Sequence, residues 1–231
     1  DITDSLNRSG GNPYLQPELV QSFELGYSKD WQKASVYSVL YYRYGINSIR
    51  AFTEVDSNGV SFTSPANFGS ITTYGIENII SVKAAKVYDF NTSVSLFQQQ
   101  LNGSNISADA AQSAFGWYAK LINNFTPWHS GKLQVTGNYN SVLATPQGKR
   151  IAQYFTDFGF QQKLGNGNAR LGITVTDVFN TFKNGYINNT TAFSHYRYSK
   201  ADTRAVILTF AWFFKSVFKE KLLENKFSRD Y

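Results

Sequence analysis

The sequence contains no cysteine and no methionine, and only 5 prolines among its 231 residues. Without cysteine, disulfides and thiolate metal sites are both excluded. Position 1 also lacks methionine and no signal peptide opens the chain, so it reads as a mature or truncated product whose export signal lay upstream. Charge is scarce too. Asp, Glu, Lys and Arg together make up 16% of the chain, against about 25% in a typical soluble domain. No stretch approaches the ~18 consecutive apolar residues of a transmembrane helix. That does not exclude a membrane, because barrel strands alternate and escape a hydropathy window.

Aromatic residues fill part of the gap: they reach 16%, with 15 Tyr and 19 Phe. Mean hydropathy is nevertheless −0.33, because Asn, Gln, Ser, Thr and Gly are abundant. Low charge, many aromatics and small polar residues suit a wall that is apolar outside and wet inside. The net charge of +6 does not argue for nucleic acid. Basic residues are scattered, and the dense group Lys215, Lys219, Lys221 and Lys226 reads as a solvated tail.

The pattern predicts one all-β unit with nine strands, at about 18–29, 34–52, 71–84, 87–101, 112–126, 132–144, 151–164, 169–182 and 203–214. Tight joins follow Asp30, Ala85, Pro127 and Gly165. Longer joins cover 53–70, 102–111, 145–150 and 183–202, and short and long alternate. In exported barrels the periplasmic turns are short and the extracellular loops long, whereas a soluble sandwich has no reason for that sorting.

Period 2 runs through the strands. Tyr88, Phe90, Thr92, Val94 and Leu96 fall on one side, with Asp89, Asn91, Ser93 and Ser95 on the other. Leu133, Val135, Gly137 and Tyr139 oppose Gln134, Thr136, Asn138 and Asn140. Asn78 and Ile79 break the pattern by sitting on the wrong sides, and strand 34–52 carries tyrosines on both. Three features argue against a half-solvated soluble sheet. The strands approach the ~9–11 residues that cross a bilayer at a tilt. Their polar faces carry Asn, Ser, Thr and Gln rather than Lys and Glu. Aromatics such as Tyr27, Trp31, Phe125, Trp128, Trp212 and Phe214 gather at strand ends, as an interfacial girdle requires.

The segment Gly11-Asn12-Pro13-Tyr14-Leu15-Gln16-Pro17-Glu18, followed by Phe23-Glu24-Leu25-Gly26-Tyr27, resembles the entry to a strand past the midpoint of TonB-dependent receptor barrels. Thr145-Pro146-Gln147-Gly148 is similar to a loop motif of the Bacteroidota-type branch. The run from Gly172 to Thr181, with Asp177, Phe179 and Asn180, looks like the penultimate strand, and Arg204 to Phe214 like the final one. The resemblance covers most of the chain in the correct order. It implies the last nine strands of a 22-stranded barrel, the size that carries a plug.

By that resemblance, residues 1–215 are barrel strands and loops, and 216–231 a basic periplasmic tail that departs from the family's usual end at the last aromatic. The expected partners are outer-membrane lipid, the missing N-terminal strands and plug, and TonB acting through that missing part. Uptake of a bulky nutrient is the function implied; a barrel scaffolding a secretion or assembly complex is the alternative. Glu24, Glu77, Asp89 and Lys120 are expected to face the lumen, as ordinary wall polarity or as substrate contacts.

No cofactor, metal site or active site is expected. His129 and His195 lie far apart in turn and loop positions, and nothing supplies a nucleophile and base within reach. Asp56-Ser57-Asn58-Gly59 resembles the start of a calcium loop without its later glutamate, and reads as a turn.

Overall fold

The computed structural model describes residues 5–214, so the expected basic tail at 216–231 lies outside the described residues. The strands in chain order begin with β1 (Asn7–Ser9), β2 (Leu19–Asp30), β3 (Ala34–Val55), β4 (Ser61–Ala85) and β5 (Tyr88–Asn102). Then come β6 (Ala111–Trp128), β7 (Gly131–Asn140), β8 (Leu143–Thr145), β9 (Gly148–Arg150) and β10 (Gln153–Leu164). The last are β11 (Ala169–Val175), β12 (Asn184–Asn189), β13 (Ser194–Ser199) and β14 (Val206–Trp212).

The main sheet runs β14-β11-β10-β7-β6-β5-β4-β3-β2, with β1 added in parallel to β4. Every pairing along that path is antiparallel. Each of the nine expected strands is present. The path is open: β2 and β14 stand at its two ends. A smaller sheet, β13-β12-β9-β8, is built from the joins between β7 and β10 and between β11 and β14. It therefore sits at the end of the main sheet carrying the long joins, termed the loop end; the opposite end carries the tight turns.

Boundaries differ from the sequence reading in instructive ways. Residues 53–70 do not form a loop. β3 and β4 continue as a paired ribbon, Thr53 opposite Thr63, to a turn at 56–60. Past the membrane a ribbon needs no apolar face, so the alternation that marks a spanning strand is absent there. The expected strand 132–144 ends at Asn140; β8 follows it and pairs with β9 in the expected loop 145–150, and the expected loop 183–202 contains the hairpin β12–β13. The expected strand 169–182 stops at Val175, because Asp177 (φ 43°) and Asn180 (φ 53°) take left-handed conformations that end a ladder. Pro127 lies inside β6 rather than in a turn, where the register slips between Phe125 and Trp128, as a residue without an N–H requires.

Register gives the sheet two chemically distinct faces. Across the strands, Leu25, Leu40, Ile76, Leu96 and Trp117 form one continuous row. The adjacent row on the other face reads Val39, Glu77, Ser95, Tyr118, Asn140 and Gln153. Accessibility is inverted relative to a soluble protein: Leu208 is 74% and Leu25 72% exposed, whereas Ser95 is fully buried on the polar face. Asn78, the residue on the wrong side, stands opposite Ser38 and accepts its hydroxyl at 2.7 Å. Two polar groups on the apolar face thus satisfy each other. Aromatics line the turn end, where Tyr88 stacks on Phe125 at 4.7 Å and Trp128 lies 6.2 Å from Phe160.

Candidate functional site

The polar face of the sheet is the first part of the site. Glu24, Glu77, Asp89 and Lys120 all lie on it, by the register of β2 through β6. Glu24 is engaged: it accepts from Arg43 at 2.9 Å and from Ser22 at 3.2 Å. The Arg43 guanidinium in turn lies 4.7 Å over the Tyr41 ring. Phe97 lies flat across the same face, because its neighbours in the row are Gly75 and Gly116. A Cβ at Gly116 would come within 2.6 Å of the Phe97 ring, and one at Gly75 within 2.7 Å of its Cβ. Leu143 of β8 reaches the same spot, 3.0 Å from that position at Gly116. The small sheet is thereby folded over the polar face at the loop end.

The second part is the loop end itself, where segments distant in sequence are tied by side-chain to backbone bonds. Asn105 accepts from the Gly69 N–H at 2.8 Å and donates to the Asn67 carbonyl at 2.9 Å. Asp109 accepts both the N–H and the hydroxyl of Thr191, at 2.9 and 2.7 Å. Those bonds, the backbone one foremost, hold its carboxyl below the usual carboxylate range. Gln147, 6% exposed, bonds both backbone groups of Thr53. Beneath them Phe68, Leu101 and Ala110 form a small apolar core with Phe52 packed against it.

The motif residues near the start anchor the opening segment to this loop end. Asn12 donates to the Pro65 carbonyl at 3.1 Å and accepts the Tyr14 N–H at 2.9 Å. Asn67 holds Gln16 at both backbone groups, at 2.7 and 2.9 Å. Glu18 accepts from the Ser48 hydroxyl and the Ile49 N–H, with Arg50 3.7 Å away. Those bonds brace the chain beside Asn47, whose φ is 54°. Leu15 is half-buried, while Pro13 and Pro17 are exposed.

Asp177 is the centre of a second knot and is 2% exposed. Its carboxylate accepts the Thr203 hydroxyl at 2.6 Å, the Thr181 N–H at 2.8 Å and the Phe182 N–H at 3.1 Å. Burial alone would push its carboxyl up; the Thr203 hydroxyl and the two N–H groups outweigh this and hold it below the usual range. Its own N–H donates to Asp157 at 2.9 Å. Asn180 closes the turn by donating to the Asp177 carbonyl at 2.7 Å, and Phe179 projects outward, 70% exposed. Asp177 and Asn180 thus shape the chain that leaves β11 and tie it to Thr203 and Lys200 ahead of β14, and the Asp177 carboxylate is spent on those donors.

The chemistry of other candidates is spent locally. Asp56 accepts from the Asn58 and Val60 N–H groups, so its carboxylate closes the hairpin turn. His129 lies in the β6–β7 turn and His195 on β13, at opposite ends of the sheet. Among the described residues no three His, Asp or Glu side chains converge as metal ligands. No helix there is long and apolar enough to cross a membrane.

Comparison with known proteins now bears on this arrangement. The outer membrane protein beta-barrel family matches residues 1–212. No curated sequence matches. Among solved structures, the chain is similar to the copper transporter OprC (12% identity, TM-score 0.58, covering 88% of this chain and 33% of that one). It is also similar to the pyoverdine outer membrane receptor FpvA from Pseudomonas aeruginosa PAO1, bound to pyoverdine (14%, 0.54, 91% and 32%). A third is the FrpB iron transporter from Neisseria meningitidis (15%, 0.51, 87% and 32%). At those identities the likeness is one of fold. The chain spans about a third of the length of each.

Proposed function

Because the chain belongs to the outer membrane protein beta-barrel family, we propose that its nine strands form a C-terminal part of the wall of a TonB-dependent receptor that imports a bulky nutrient. The carrying observation is the open, inside-out sheet. Its apolar face is exposed, its polar face holds the fully buried Ser95, and among the described residues both edge strands lack a second partner along the sheet. Unpaired ladder groups cannot face hydrocarbon, so β2 and β14 are completed by further strands of a larger barrel. Solved transporters and receptors of matching fold, and the ordered motifs of the sequence, support the receptor reading.

On this reading the polar face lines the lumen, and Glu24, Glu77, Asp89 and Lys120 colour its wall. Tight turns lie in the periplasm and the loop end faces outward. The knitted loop end, with Asn105, Asp109 and Gln147 as ties, is then a preformed rim rather than a set of independent loops. Rim and plug together select the nutrient, and a plug upstream engages TonB.

The test is uptake by cells carrying the complete protein, with labelled metal chelates, oligosaccharides and peptides, with and without TonB. Uptake of one class that requires both the protein and TonB is the expected result. Absence of uptake, together with stable co-purification with several envelope proteins, would replace it with the scaffold reading.

A further inference from the structure

Charge on the polar face is not evenly spread. On β2 to β5 that face carries Glu24, Asp30, Glu77 and Asp89, with Arg43 paired to Glu24, whereas β6, β7, β10 and β11 carry Lys120, Lys132, Lys163 and Arg170. Near the turn end of β7, β10, β11 and β14 lies a cavity of about 320 Å³. Lys132, Gln134, Gln161, Arg170, Thr174 and Thr209 line it, all of them donors. The carboxylate on this face of those four strands, Asp157, is committed to the Asp177 N–H toward the other end.

Arg170 has the geometry of a group awaiting a partner. Its guanidinium lies 5.1 Å over the Phe213 ring, which fixes its plane. Its Nε is buried and finds no acceptor among the described residues. Lys163 stands directly opposite it on the neighbouring strand, and like charges directly opposite are destabilising. A buried donor left unbonded and a cation facing a cation are two separate costs, and one anion between them removes both.

We infer that this cavity is an oxyanion site, built to hold a carboxylate or phosphate between Arg170 and Lys132, with Gln161 and Thr209 as neutral donors and the charge of Lys163 added from the position opposite Arg170. Glycines at 159 and 172 leave the cavity floor open. The inference rests on the polar face being the barrel's interior, and it stands whichever nutrient the barrel passes. The oxyanion is either a free solute or an acidic side chain of the segment that fills the lumen.

The two sources separate in the complete protein, purified in detergent and titrated with inorganic phosphate by calorimetry. If the site is open, phosphate saturates it, and Arg170→Gln weakens binding by about tenfold or more, as loss of a charged hydrogen bond requires. If an acidic side chain already occupies it, phosphate does not bind, and both Arg170→Gln and Lys132→Gln lower the denaturation midpoint. No phosphate binding with an unchanged or raised midpoint in both variants would overturn the inference, since it would mean only repulsion had been removed. The two substitutions act on different strands, so a folding failure of one leaves the other to decide. Uptake is not read in this test, so its failure is distinct from that of the receptor reading.

Discussion

Gln147 bonds Thr53 as though it were a neighbouring strand. Its Oε1 accepts the Thr53 N–H at 2.8 Å, and its Nε2 donates to the Thr53 carbonyl at 2.7 Å. The two residues are 94 apart in sequence, and their bond joins the small sheet to the extended β3–β4 ribbon. Gln147→Ala leaves both backbone groups of Thr53 unpaired at a half-buried position, at a cost of about 1–3 kcal/mol. Amide exchange in the complete protein should quicken at residues 51–63 and 145–150 and stay unchanged at the turn end. Equal exchange in both proteins would show that the tie contributes nothing.

Asp177 should make the chain after β11 sensitive to acid. A carboxyl depressed in the folded state contributes stability above its unfolded value, about 3.9, and loses it as pH falls through the folded one. Protonation converts an acceptor of several donors into a competing donor. Exchange at Thr181 and Phe182 should accelerate as pH drops below about 4, after correction for intrinsic rates. In Asp177→Asn it should already be fast at pH 7 and change little. Slow exchange in the variant at neutral pH would refute the role of the carboxylate.

The two faces should differ in tolerance. Val94 lies on the apolar face between Asn78 and Ala119, and Ser93 on the polar face between Ile79 and Lys120. Val94→Arg near mid-strand is expected to cost about 2–4 kcal/mol. Ser93→Arg should cost about 1 kcal/mol or less, from the like charge of Lys120 opposite. Equal costs in a lipid refolding assay of the complete protein would mean that the faces are misassigned.

Orientation follows from which end carries the long joins. Ser57 is exposed at the loop end and Lys86 at the turn end. A cysteine at Ser57 should react with an impermeant maleimide on intact cells, and one at Lys86 only after lysis. The reverse pattern would place the loop end in the periplasm.

Residues 1–231 expressed alone should not close into a barrel. β2 and β14 are the two edges of the sheet, and each unsatisfied ladder group costs several kcal/mol in hydrocarbon. Aggregation or full protease sensitivity in detergent is expected. A monodisperse, heat-modifiable monomer would show instead that the two edges meet.

The sequence by itself determined the strands that cross the membrane and their two faces. A residue such as Leu96 or Ser95 faces one solvent or the other, and period 2 records that choice at every step. It also determined the tight turns, since Asp30, Ala85 and Gly165 interrupt the alternation where the chain must reverse. What lies beyond the membrane was decided by tertiary structure. There both sides of a strand meet water or other loops, so β3 beyond Phe52, β8–β9 and β12–β13 carry no periodic signature. The partner of Asn78 was hidden for a related reason: Ser38 becomes its neighbour only when β3 and β4 pair in one register. Glu18 and Asp177 stand out within their motifs, but their donors, Ser48, Ile49 and Thr203, come from segments that only folding brings within reach. The same holds for Arg170 and Lys163, separated by a turn in the chain, whose opposition across two strands exists only once β10 and β11 have set their ladder.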